Sequence, residues 1–166
     1  MSLDSKHVEA VRAFAVCAHG EQRYGHRPYV EHLSAVVEVL KQFGFDDDYV
    51  AAGWLHDVVE DTAATKADVE AAFGDRVAKL VSAVSGGGDR AAHVASIYEK
   101  IAAYPDAANV KLADRIANVE ACEPGDKHFV RYGREHPGFT SVIEPHVPAA
   151  MWQRYLNAME SKAAKS

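Results

Sequence analysis

Leu33, Val36, Val37 and Leu40 stand three and four residues apart, the interval that brings side chains onto one face of an α-helix. The same period recurs along nearly the whole chain. Val8, Val11, Phe14 and Ala15 show it in residues 4–18, and Met151, Trp152, Tyr155 and Met159 show it near the C-terminus. No run alternates long enough to argue for a sheet. The expected class is therefore all-α, as a compact single-domain helical fold. Asp4 or Ser5 caps the first helix. Pro28 suits the first turn of a second, which runs to about Phe43 and stops at Gly44. A third covers 46–61. Thr65, in a near capping box with Asp68, starts a fourth that reaches about Val84 with an interruption near Gly74. Helices over 90–103 and 107–122 flank Pro105. Residues 124–148, rich in Pro, Gly and His, read as short helices and loops. A last helix covers 148–160, before a frayed tail.

With 166 residues, 48% of them hydrophobic, the chain reads as one domain over 1–166. Its core spans about 5–122, with a C-terminal helical extension over 124–160. The net charge of −6 argues against a nucleic-acid or anionic-membrane partner, which would want a basic face. Cys17 and Cys122 lack motif spacing and read as reduced thiols. The N-terminus carries no signal-peptide core, and no apolar run reaches the ~18–20 residues of a membrane span. A soluble, cytoplasmic protein is expected. Gly86-Gly87-Gly88 is a flexible break rather than a phosphate-cradling loop, since no Gly-Lys-Ser/Thr follows it.

The chemistry is concentrated in W-L-H-D-V-V-E-D-T, residues 54–62. On one helix His56 and Glu60, like Asp57 and Asp61, are four apart, and the four groups form one polar patch among apolar residues. Burying ionised carboxylates costs several kcal/mol each (on the order of 20 by idealised solvation) unless they are paired or bind a metal. A solvated face accounts for Asp46, Asp47 and Asp48, but less well for this patch. A second stripe in 110–119 places Lys111, Asp114, Arg115 and Asn118 on one side of a helix. His32 opens a third apolar run. Together His32, His56, Asp57 and Asp114 offer a mixed nitrogen and oxygen ligand set suited to one divalent ion such as Mn²⁺, Fe²⁺ or Zn²⁺.

The order His32, His56-Asp57, Asp114 resembles the HD-domain metal-dependent phosphohydrolases. The fuller motifs P-Y-V-E-H (28–32), L-H-D-V-V-E-D-T (55–62), F-G-D-R-V (73–77) and K-L-A-D-R-I-A-N (111–118) resemble the hydrolase domain of the RelA/SpoT alarmone enzymes and its small stand-alone relatives, over about residues 5–122. That resemblance implies an all-α fold and a divalent metal, Mn²⁺ first, with Fe²⁺, Zn²⁺ or Mg²⁺ as alternatives. It implies removal of the 3′-pyrophosphate from guanosine tetra- or pentaphosphate. It makes His32, His56, Asp57 and Asp114 the metal ligands, Glu60 and Asp61 the handlers of the attacking water, and Asn118 a nucleotide contact. The Arg-Lys pair of the family, which helps hold the base, is Arg23-Tyr24 here. The family's Thr-Lys is replaced by V-S-G-G-G-D-R, and its His or Tyr before Asn118 by Ala117. Arg23, Lys111 and Arg115 are the cations expected to offset phosphate charge, and Arg134 or His136 is a looser candidate to reach the site. The expected partner is a small phosphorylated substrate, a purine nucleotide first, and a homo-oligomer is compatible with the sequence. Two alternatives stay open: a phosphomonoesterase acting on another nucleotide or small phosphate ester, and a non-catalytic nucleotide-binding module.

Overall fold

The computed structural model describes residues 5–165. It is helical almost throughout. The elements are α1 (Ser5–His19), β1 (Arg23–Tyr24), β2 (Arg27–Pro28), α2 (Tyr29–Gln42), α3 (Asp47–Leu55) and α4 (Val58–Asp61). There follow α5 (Lys66–Phe73), α6 (Asp75–Val84), α7 (Arg90–Ala103), α8 (Ala107–Ala121), α9 (Lys127–Ile143), a 3₁₀ turn (Glu144–His146) and α10 (Ala149–Ala163). The all-α expectation holds. The one addition is a two-residue antiparallel hairpin in which Arg23 pairs with Pro28 and Tyr24 with Arg27. Two strand residues are too few to alternate visibly. Asp4, one of the two proposed caps of α1, lies outside the described residues.

α8 is the centre of the molecule. It packs against α2 on one side and α10 on another, while α2 also lies along α3, and α6 backs both α3 and α8. Leu33, Leu40, Leu55, Leu80, Leu112 and Ile116 are fully buried where these helices meet. Each such side chain contributes roughly 1.5–3 kcal/mol relative to exposure. Local signals set the ends. Asp46 accepts the Tyr49 amide at the start of α3, and Thr65 and Asp68 close a full capping box on α5. Gly74, with φ 92°, turns the chain between α5 and α6 in a conformation that other residues adopt only with strain. Arg76 bonds Asp46 and Asp48, both at 2.8 Å, in a face that stays open to solvent, with the two carboxylate side chains 56% and 43% exposed.

Two expectations fail in the C-terminal part of the chain. Residues 124–148 do not break into short helices and loops: α9 is a single helix with Pro137 inside it. A proline ring there would press on the backbone four residues back, which is Gly133, and the buried residues Tyr132, Phe139 and Ile143 tie the helix to the core on both sides of it. The tail is also more ordered than expected, since α10 continues to Ala163. No described helix is long and apolar enough to cross a membrane.

Candidate metal centre

Three parts of the chain meet where the polar residues converge. α2 brings His32, the junction of α3 and α4 brings His56 and Asp57, and α8 brings Asp114. The two ring Nε2 atoms lie 3.2 Å apart. Asp57 Oδ2 stands 3.0 Å from His56 Nε2 and 3.7 Å from His32 Nε2. Asp114 Oδ1 stands 3.3 Å from His32 Nε2 and 3.5 Å from His56 Nε2. The ligand atoms of His32, His56 and Asp57 all fall within 4.8 Å of one another.

The helix expected over 46–61 is broken at this point. α3 ends at Leu55, Asp57 takes φ −102° and ψ −2°, and α4 resumes at Val58. Such bridge-region conformations recur at active sites. The His56 ring Nδ1–H donates to the Gly53 carbonyl at 2.8 Å, which sets the ring and leaves Nε2 facing Asp57 and Asp114. The four acidic and imidazole groups of the motif are not one buried patch either. His56 is buried, Asp57 and Glu60 are partly covered, and Asp61 is exposed, because the break turns α4 toward the surface.

The electrostatics favour a cation here. Burial alone would raise the Asp57 carboxyl, but His56 pulls it down to about 2. Burial likewise works against Asp114, yet Lys111 at 3.0 Å, with His32 and His56, holds it well below the usual carboxylate range. Burial works against charge on His56, and the Asp57 and Asp114 carboxylates override it, lifting the imidazole well above its ordinary value. Two ionised carboxylates thus face two imidazole nitrogens in a mostly buried pocket, and a proton on His56 supplies positive charge there. Two nitrogens and two carboxylate oxygens suit a divalent metal.

A second layer fixes these groups. Tyr29 donates its hydroxyl to Asp57 Oδ2. Tyr24 lies flat against His32, with ring centroids 4.8 Å apart and planes 13° off parallel. Its hydroxyl donates to Asn118 Oδ1 at 2.7 Å, and Asn118 Nδ2 donates to Asp114 Oδ1 at 2.6 Å. Tyr29 escaped the reading of the sequence, although its place three residues before His32 in P-Y-V-E-H put it on the same helix face. Glu60 Oε1 accepts from the Gly86 amide and from His93. Asp61 Oδ2 accepts from Gln22 Nε2 at 2.8 Å. Nothing in the sequence around His93 marks it.

Three of the four, His32, Asp57 and Asp114, line a cleft of about 700 Å³, with His56 buried behind them. Glu60 and Asp61 line it, as do all five expected substrate contacts: Arg23, Tyr24, Lys111, Arg115 and Asn118. Their commitments differ. Arg23 Nη2 donates to the His26 carbonyl, and Lys111 donates to Asp114. Arg115 is 4% exposed, bonds Glu135 Oε2 at 2.8 Å, and lies 4.4 Å from the ring centroids of both Tyr132 and Phe139. Further cations, Arg27, Arg90 and Arg131, stand on the rim. Arg134 and His136 do not line the cleft. His136 bonds the Tyr155 hydroxyl and stacks on Trp152 instead, while its neighbour Glu135 holds Arg90 and Arg115.

A protein-family profile described as "HD domain" matches residues 10–136. Among curated proteins, the guanosine-3′,5′-bis(diphosphate) 3′-pyrophosphohydrolase of Aquifex aeolicus is 33% identical over 123 residues, covering 70% of this chain and 18% of that protein. The bifunctional (p)ppGpp synthase/hydrolase SpoT of Escherichia coli K12 is 44% identical over 66 residues, covering 40% of this chain and 9% of that protein. The chain thus spans only a small part of the curated relatives it matches. A solved structure of a metazoan ortholog of SpoT that hydrolyses ppGpp superposes with a TM-score of 0.82 at 23% identity, covering 98% of each chain. That likeness shows the fold.

Proposed function

Because the chain belongs to the HD-domain family, we propose that it is a metal-dependent phosphohydrolase that removes the 3′-pyrophosphate from guanosine tetra- or pentaphosphate. The carrying observation is the convergence of His32, His56, Asp57 and Asp114 beside a cleft that His32, Asp57 and Asp114 line together with Glu60 and Asp61. The names of the curated relatives support the substrate. In this reading residues 1–166 work as a single HD hydrolase domain in the cytoplasm, with Mn²⁺ as the first choice of metal.

A divalent ion held by His32, His56, Asp57 and Asp114 would supply a bound water of lowered pKa and a positive charge near the phosphorus oxygens. The chain's own groups do the rest. Glu60 takes the proton of the attacking water on its free oxygen. Asp61, steadied through Oδ2 by Gln22, accepts from the same water with Oδ1. Arg23 and Lys111 face the cleft and offset charge growing on the phosphoryl oxygens. Tyr29 and Asn118 hold the two ligand carboxylates in place.

The test is turnover of guanosine tetraphosphate by the Mn²⁺-loaded protein, with pyrophosphate and phosphate release measured separately. Asp57→Ala is expected to lose both metal and activity. Glu60→Gln is expected to keep the metal and lose about 10²- to 10⁴-fold in rate. Near-normal turnover by metal-free Asp57→Ala would sink the proposal. One observation favours a phosphomonoesterase as the second reading: Asn118, the expected nucleotide contact, is already bonded by Tyr24 and Asp114. Inorganic phosphate as the sole product would establish that reading.

A further inference from the structure

The two oxygens of Glu60 are not equivalent. Oε1 accepts the Gly86 amide N–H at 2.5 Å and the His93 Nε2–H at 2.9 Å. Oε2 takes no hydrogen bond from any described residue. Glu60 and His93 both line the cleft. They come from different elements, α4 and α7, and Gly86 lies in the loop before α7, so three separate pieces of backbone fix one carboxylate.

The approach depends on glycine. A Cβ at position 86 would stand 2.8 Å from the His93 Cδ2 and 2.9 Å from the His93 carbonyl oxygen, closer than real Cβ atoms come. No Gly-Lys-Ser/Thr follows Gly86-Gly87-Gly88 as in a phosphate loop, and this contact gives its first residue a purpose. His93 Nδ1 is buried without a hydrogen-bond partner. With Nε2 as the donor, the buried side of the ring carries a bare acceptor rather than a bare N–H.

We propose that His93, together with the Gly86 amide, is the positioning residue for Glu60: it holds Oε1 and leaves Oε2 turned to the reacting water. This inference rests on the proposed phosphohydrolase function. His93 touches no reacting atom in this scheme and acts through Glu60. A carboxylate free to rotate would offer its proton-accepting oxygen in the right place only part of the time. Displacements of about 1 Å at such a group can cost about 10²-fold in rate.

The experiment measures kcat and KM on guanosine tetraphosphate for the metal-loaded full chain. The variants are His93→Ala, His93→Leu, His93→Gln, Glu60→Gln, and His93→Ala combined with Glu60→Gln. Circular dichroism and metal content are checked for each. His93→Ala and the bulkier His93→Leu should each lose about 10²-fold in kcat, with KM changed by less than about twofold and metal content unchanged. His93→Gln, whose amide can still donate to Oε1, should recover most of the loss. In the Glu60→Gln background, His93→Ala should cost nothing more, because its effect runs through the missing carboxylate. Folded His93→Ala and His93→Leu with wild-type kcat would overturn the inference, as would an undiminished loss in the Glu60→Gln background. A wild-type protein with no turnover overturns the proposed function and this role with it, whereas turnover indifferent to His93 overturns this role alone.

Discussion

Metal loading of the cluster should release close to one proton per ion at neutral pH. The sign follows from the groups involved. Asp57, held at about 2, and Asp114, held well below its ordinary value, are already ionised and have no proton to lose. His56 is lifted well above its ordinary 6.5 by the Asp57 and Asp114 carboxylates, so a proton on its Nε2 at neutral pH is the expectation for the metal-free protein. A metal ligand must be neutral imidazole, and that proton has to leave. Below the raised value, the logarithm of the association constant should rise by about one per pH unit, or about 1.4 kcal/mol, and flatten once pH passes that value. Calorimetric titration with Mn²⁺ in two buffers of different ionisation enthalpy counts the proton directly. Repeating it from about pH 6 to about pH 8 gives the slope. Affinity independent of pH, or no buffer dependence of the heat, would refute the charge assignment of the cluster. His56→Gln should abolish the slope as well as weaken binding.

Three further outcomes follow from contacts described above. Tyr29→Phe removes the hydroxyl that Asp57 accepts from and should weaken metal binding about tenfold or more, read in the same titration; unchanged affinity would refute its role. Burial would raise Glu135, but Arg90 and Arg115 hold it below its ordinary 4.5; its stabilisation is full above that value and fades as pH falls through the lowered one. Glu135→Gln should therefore be less stable than wild type at neutral pH in urea titrations, and the gap should close in acid. Arg76→Ala cuts two partly exposed ion pairs and should cost only about 1 kcal/mol, a fall of about 2–4 °C in Tm.

Much of the fold is legible in the chain because helical period and end signals are local. Pro28, Gly74, the Thr65 capping box and Pro105 each mark a boundary that the structure respects to within a residue or two. The failures have non-local causes. The break at His56-Asp57 leaves no mark in an apolar-and-acidic stretch that could run as one helix. Pro137 and its glycines suggest loops, and only packing of Tyr132 and Phe139 around Arg115 overrides them. The convergence of His32, His56, Asp57 and Asp114 came from motif order, whereas His93 and Tyr29 act through side chains met only in three dimensions.

That same break also separates two jobs that a continuous helix would have welded together. α3 is locked into the core along its length, from Tyr49 to Leu55, and carries His56 with it. α4 is four residues long; Val58 anchors it in the core, and its carboxylates are moored from other segments, Glu60 by Gly86 and His93 and Asp61 by Gln22. Substitutions in the mooring loops can therefore re-aim the carboxylates without disturbing the histidine, so a lineage built on this scaffold is free to retune its chemistry while inheriting its ion site unchanged.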